Sequence, residues 1–269
     1  MVVNSIVYNI VVVGAGGTGS HFIARLAQFV SSLDFEKCHI RAVRLGIVDG
    51  DTVEQKNLER QNFCSEDFLQ NKAEVLARDV EEVYPREDFS VAAFAQYVNE
   101  VDDLCDIFSS LSASYINKNT VTLLIGCCDN HRCRQVMEKF FDSQKDIIYL
   151  DAANEFSVGE VVIGIRTGGK LLSPSRKYYF PDIMSATGKS RSEESCGAIN
   201  ISAPQHLATN VESANVLLSV VSRFMSSGQI DGGIIYFDTF GFSKVFRKYK
   251  SEGSLKKAAG GGKNEKFLS

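Results

Sequence analysis

The 269-residue chain has no apolar run approaching the roughly 20 residues that span a bilayer. Its opening residues, Met1 to Asn9, have no basic n-region, so their apolar stretch reads as a first strand rather than a signal peptide. Positive charge is not in excess: 29 Lys and Arg against 33 Asp and Glu leave a net charge of −4, which argues against an overall attraction to nucleic acid. There is no C-x-x-C pair and no internal repeat. The seven cysteines, at 38, 64, 105, 127, 128, 133 and 196, are odd in number and scattered, which suits reduced thiols better than a disulfide framework. Cys127, Cys128 and Cys133 cluster but have no second ligand pair, so no structural zinc is expected. These absences leave a cytoplasmic globular protein, with no membrane or nucleic-acid partner and, at 44% apolar residues, an ample core.

The N-terminal half, by contrast, is strongly patterned. Ile10-Val11-Val12-Val13 breaks into Gly14-Ala15-Gly16-Gly17-Thr18-Gly19-Ser20 and then into helix-like sequence, which reads as a buried central strand feeding a tight turn. Gly14 permits the turn, Gly16 and Gly17 leave no Cβ in the way of a phosphate, and Gly19 lets the next helix pack on the strand. That helix, expected from near Ser20, offers unpaired N–H groups and the positive end of its dipole to an anion. His21 reads as an ordinary helix residue. Taken alone, such a loop occurs in dehydrogenases, flavoproteins, methyltransferases and adenylating enzymes, and some matches are only tight turns.

A second strand, Ala42 to Val48, ends at Asp49-Gly50-Asp51. An acid there in a dinucleotide fold accepts hydrogen bonds from ribose hydroxyls, and Asp49 is the candidate, against the plainer reading of a strand-ending Asp-Gly turn. The dense polar run Thr52 to Phe63 has no purpose in a dehydrogenase, whereas an enzyme that attacks a triphosphate needs donors to neutralise its charge. A helix is expected to start near Ser65-Glu66-Asp67, with Lys72 in its first turns. Phe89 to Ala95 and Val121 to Cys128 read as strands. Asp129-Asn130 follows at a carboxyl edge, the same crevice as the glycine loop in a doubly wound sheet, and a helix N-cap is the plainer role for Asp129.

Ile147 to Asp151 and Glu160 to Arg166 continue the sheet around a loop at Asp151-Ala152-Ala153-Asn154. The polar stretch at about 167–195 is expected to be a mobile crossover loop. A long helix from Gln205 to Met225 and strands Ile234 to Asp238 and Phe242 to Val245 complete one domain over 1–249, before a tail at 250–269 expected to be disordered. The fold class is α/β: a Rossmann-like doubly wound, mostly parallel sheet with C-terminal strands and a crossover loop.

The spacing Asp-x-Asp-x-Val-x-x-x-Asn-Leu-x-Arg-Gln over 49–61, the Asn71-Lys72-Ala73 run and Cys-x-Asp-Asn with the downstream Arg132 resemble the adenylating superfamily of ubiquitin-activating enzymes, which includes the bacterial ThiF, MoeB and HesA proteins. Leu150-Asp-Ala-Ala-Asn, Gly159-Glu-Val-Val-Ile-Gly and Ser195-Cys196 look closest to the short ThiF-like proteins of PRTRC cassettes. The resemblance implies ATP-dependent, magnesium-dependent adenylation of the C-terminal carboxylate of a small ubiquitin-like protein by a homodimer. Asn57, Arg60 and Lys72 would contact phosphates, Gln61 would help fix the loop, and Asp129 would hold magnesium. Gly14, Gly16, Gly17, Gly19, Asp49, Asp51 and Asn130 complete the nucleotide site so implied. Cys196 would accept the acyl group as a thioester. In ThiF and MoeB an N-terminal arginine reaches the partner subunit's ATP, and this chain starts directly at its first strand. A non-catalytic nucleotide- or partner-binding relative is therefore the alternative, with a nicotinamide (NAD(P)) oxidoreductase behind it.

Overall fold

The computed structural model describes residues 5–112, 119–186 and 206–250. The chain runs β1 (Ile6–Val13), α1 (Gly17–Ser32), β2 (Ile40–Val48), α2 (Lys72–Val83), β3 (Phe89–Phe94), α3 (Val101–Ser112), β4 (Thr120–Gly126) and α4 (His131–Ser143). It continues through β5 (Ile147–Asn154), β6 (Val158–Thr167), β7 (Lys170–Ser173), α5 (Arg176–Tyr179), α6 (Leu207–Ser227), β8 (Gly233–Asp238) and β9 (Ser243–Lys248).

β1 is buried along its whole length because both of its faces are covered. Tyr8, Ile10 and Val12 enter a core shared with α1, α2 and α6, while Val11 and Val13 enter a second core shared with α3 and α4. Two-sided burial explains why its sequence is a continuous apolar run rather than an alternating one. Edge-to-face packing of Tyr8 on Phe224, with ring centroids 5.9 Å apart, ties α6 to this central strand.

The sheet has the order β3-β2-β1-β4-β5-β6-β8-β9, with β7 pairing β6. β1 to β5 are mutually parallel, and β6 to β9 extend the sheet in antiparallel fashion. From β1 the chain builds outward on one side through β2 and β3, then returns to β4 on the other. Val13 pairs with Val48 on one side and with Gly126 on the other. The carboxyl ends of β1, β2 and β4 therefore open onto one crevice at the point where the strand order reverses.

Several local expectations are revised. Ser65–Asp67 forms only a 3-10 turn, and the helix expected there starts at Lys72. Asp151 to Asn154 belongs to β5, with Asn154 paired to Gly159, instead of forming a loop. Within the stretch read as a crossover loop, the described part contains β7, α5 and a 3-10 turn at Pro181–Met184. Residues 187–205, Cys196 among them, and the tail at 251–269 lie outside the described residues. No helix among the described residues is long and apolar enough to cross a membrane.

Candidate nucleotide site

Gly14 adopts φ +96°, and a Cβ there would come within 2.8 Å of the Cys127 backbone. At Gly19 a Cβ would stand 1.9 Å from the Gly14 carbonyl oxygen, so only glycine lets α1 sit directly on the turn. The turn is stitched to both neighbouring strands: the Gly14 N–H donates to Val48 O at 2.9 Å and the Cys127 N–H to Val13 O at 2.8 Å. α1 begins at Gly17, a turn earlier than expected, with Gly16 at its N-cap and no side chain capping it. A Cβ on Gly16 would meet only Gln61 Nε2, at 3.9 Å. The first turn of α1 thus keeps its N–H groups and a clearance above them, the arrangement that accepts a phosphate.

Asp49 braces this loop from below. Its Oδ2 accepts the Ala15 N–H at 2.6 Å and its Oδ1 accepts the Asp51 N–H at 2.8 Å. Burial pushes its carboxyl above the usual carboxylate range, with the Lys72 ammonium opposing the shift. Lys72, the first residue of α2, is buried and places its Nζ 3.3 Å from Asp51 Oδ2, while the Tyr97 hydroxyl donates to Asp51 Oδ1 at 2.7 Å. Asn71 caps α2 through the Ala73 and Glu74 N–H groups, and its Nδ2 donates to the carbonyls of Asp49 and Asp51 at 3.0 and 3.1 Å. One side chain therefore fixes the start of α2 to the end of β2.

The polar run beyond Asp51 wraps over α1. Buried Asn57 shapes it by accepting the Glu54 N–H at 2.8 Å. Two residues of α1 hold its far end: His21 Nε2 donates to the Arg60 carbonyl at 3.2 Å, and Ser20 Oγ accepts the Asn62 N–H at 3.0 Å. Burial lowers the His21 pKa, which favours the neutral ring that makes this contact. The sequence reading missed His21 because nothing local distinguishes it from any other helix residue. Among the described residues the Arg60 guanidinium forms no ion pair or hydrogen bond, and Gln61 Oε1 is buried without a partner.

On the other side of the crevice Asp129 is exposed just beyond β4. Asn130, not Asp129, caps α4, accepting from the Arg132 and Cys133 N–H groups at 2.8 and 3.2 Å. Burial raises the Cys127 thiol well above its usual value. Among the described residues no group of three or more His, Cys, Asp and Glu is placed to hold a metal. Magnesium, however, is commonly bound by one or two carboxylates together with substrate phosphates, and a single exposed Asp129 beside a phosphate loop suits that mode.

Behind this crevice lies a cluster that the sequence reading did not find. Asp151 of β5 is buried between two arginines: Arg134 Nε is 3.4 Å from its Oδ1, and Arg176 Nε contacts its Oδ2. Arg176 also reaches Glu160 Oε1 at 2.6 Å, and both guanidinium groups donate to β5 carbonyls, Arg134 to Ala152 and Arg176 to Asp151, each at 3.0 Å. Beside them, buried Glu138 accepts the Ser175 hydroxyl, and burial pushes its pKa up to about 7. Arg134 is buried in this cluster, while Arg132 lies exposed in the first turn of α4.

Among solved structures the chain is similar to PaaA, with a TM-score of 0.58 at 16% identity, covering 90% of this chain and 64% of that one. It is also similar to E. coli MccB solved with ATP, at 0.58 and 15% identity over 89% of this chain and 62% of that one. MccB solved with AMPCPP and MccA gives 0.57 and 15%, over 89% and 63%. The chain therefore spans a little under two thirds of the length of these proteins, and likeness at such identity is one of fold. No curated protein sequence matches it. The model of the ThiF family matches residues 7–248, nearly the whole chain, and the chain belongs to the ThiF family.

Proposed function

We propose that the protein adenylates the C-terminal carboxylate of a small, ubiquitin-like protein with ATP and magnesium, acting in the cytoplasm as a homodimer. A carboxylate is a poor acyl donor. Attack of its oxygen on the α-phosphorus of ATP, with cleavage of the bond to the departing pyrophosphate, converts it to a reactive acyl adenylate. The open first turn of α1 supplies N–H groups to the phosphates, and the Arg60 guanidinium offsets negative charge developing on them. Lys72 adds a positive charge near the loop while its ammonium stays on Asp51. Asp129 and the phosphate oxygens would hold magnesium, which supplies Lewis-acid charge stabilisation when bound. The single observation that carries the reading is the open, uncapped first turn of α1 at the strand-order reversal, with buried Gln61 Oε1 beside it left without a partner among the described residues. MccB, a protein of similar fold, has been solved with ATP, and with AMPCPP together with MccA.

In a second step the Cys196 sulfur would attack the acyl carbon, AMP would leave, and the thiol proton would pass to solvent, leaving a thioester. The test is ATP–pyrophosphate exchange with purified protein, magnesium and candidate small proteins ending in glycine. Exchange is expected only with the right partner, to fall at least about 100-fold in Arg60→Ala and Asp129→Ala, and to survive Cys196→Ala. ATP binding without exchange for any candidate would instead support a relative that binds nucleotide or partner without turnover.

A further inference from the structure

The open end of α1 is flanked by a residue from the far side of the chain. Asn210, in the first turn of α6, is wholly buried against Gly17, and a Cβ at Gly17 would stand 2.5 Å from its Nδ2. Its Oδ1 accepts from Asn154 Nδ2 at 2.8 Å at the end of β5, and Asn154 Oδ1 accepts from Thr18 Oγ1 at 3.1 Å, back in the first turn of α1. Two amides thus link three elements around the phosphate loop. One donor is left over: Asn210 Nδ2, the atom nearest the Gly17 position, is buried and has no partner among the described residues. A buried unpaired donor is destabilising, and here it faces a position where only glycine leaves room for it.

We propose that Asn210 is a positioning residue for the nucleotide. This rests on the adenylation reading and deepens it. The amide fixes the first turn of α1 from the α6 side and keeps that flank a neutral donor where anionic phosphates bind. Gly17 is then required by Asn210 as much as by the ligand. A carboxylate in place of the amide would keep the size and the acceptor for Asn154, but would set a negative charge beside the phosphates.

The experiment is calorimetric binding of ATP with magnesium, and of adenosine, to the full-length protein and four variants. Asn210→Asp is expected to weaken ATP at least tenfold while leaving adenosine unchanged, a split that a merely structural defect would not produce. Gly17→Ala is expected to weaken ATP at least tenfold through collision with the amide. The double variant Gly17→Ala/Asn210→Ala, with that space vacated, should regain most of the loss and bind about as well as Asn210→Ala. Equal losses of ATP and adenosine in Asn210→Asp, or no rescue in the double variant, would overturn this role and leave adenylation standing. Absence of ATP binding by the wild-type protein would overturn both.

Discussion

The glycine loop at the end of β1 and the arginine cluster on β5 and β6, with β4 between them, handle polarity in opposite ways. Around the ends of β1 and β2 the Lys72–Asp51 pair is closed, but several polar groups have no partner among the described residues: the α1 N-terminus, Gln61 Oε1 and Asn210 Nδ2. Between β5, β6 and α4 the charged groups are long and buried, yet closed on one another through Asp151, Arg134, Arg176 and Glu160, while the buried Tyr149 hydroxyl beside them has no partner among the described residues. Buried charges survive only when paired and hydrogen-bonded, whereas a ligand site needs groups whose pairing is left to the ligand. The arginine cluster is therefore scaffold, fastening α5 and the start of the following segment to the sheet, and the glycine loop is the surface we propose binds nucleotide. Substitutions in the first should change stability, and substitutions in the second should change nucleotide affinity.

The largest effect is expected from Asp151→Ala. It leaves two buried guanidinium groups without their shared carboxylate, and removing one partner of a buried pair costs about 3–5 kcal/mol. Urea unfolding should show that loss. A change below about 1 kcal/mol would mean that water reaches the arginines, and the contrast between closed and open polar groups would fail.

How much of this contrast was readable in the sequence follows from separation along the chain. The glycine loop, Asp49 and Asp129 were legible because each stands next to a strand end whose apolar run announces it. The helix expected at 65–67 was misplaced because an acidic cluster resembles a first turn. The chain instead breaks at Leu69, with φ +67°, and restarts under the Asn71 cap. Asn130 and Asp129 were interchangeable as caps by composition, and only the fold distinguishes them. Arg134, Asp151, Glu160 and Arg176 come from four elements, and no local pattern marks charges that meet only after a hairpin and two crossings have formed. The contact of Asn210 with Gly17 is further still from sequence, joining the first helix to the last.

A smaller effect, and one of definite sign, is expected from Glu138. Its carboxyl titrates near 7 in the folded chain against an ordinary value of 4.5, chiefly through burial, with Asp151 reinforcing the shift and the Ser175 hydroxyl and Lys177 opposing it. Between those two values the folded state binds more protons than the unfolded state, so stability falls as pH rises from about 4.5 to about 7 and levels off above. The full shift corresponds to about 3 kcal/mol at most. Urea midpoints from pH 5 to pH 8 should decline less in Glu138→Gln than in the wild type; identical declines would remove Glu138 from the account.

The smallest effect on stability should come from the proposed nucleotide surface, and it sharpens the comparison most. Ser20 is buried in α1, and its hydroxyl holds the Asn62 N–H at 3.0 Å. Ser20→Ala removes one hydrogen bond, but Asn62 is exposed and water can replace the acceptor, so the cost should stay below about 1 kcal/mol. The bond nevertheless anchors one end of the run that carries Arg60, whose carbonyl is held separately by His21. With the anchor gone, Arg60 samples positions away from the phosphates, and ATP should bind several-fold more weakly while the unfolding midpoint barely moves. Unchanged ATP affinity in Ser20→Ala would mean that His21 alone fixes Arg60, and His21→Ala would then carry the larger loss.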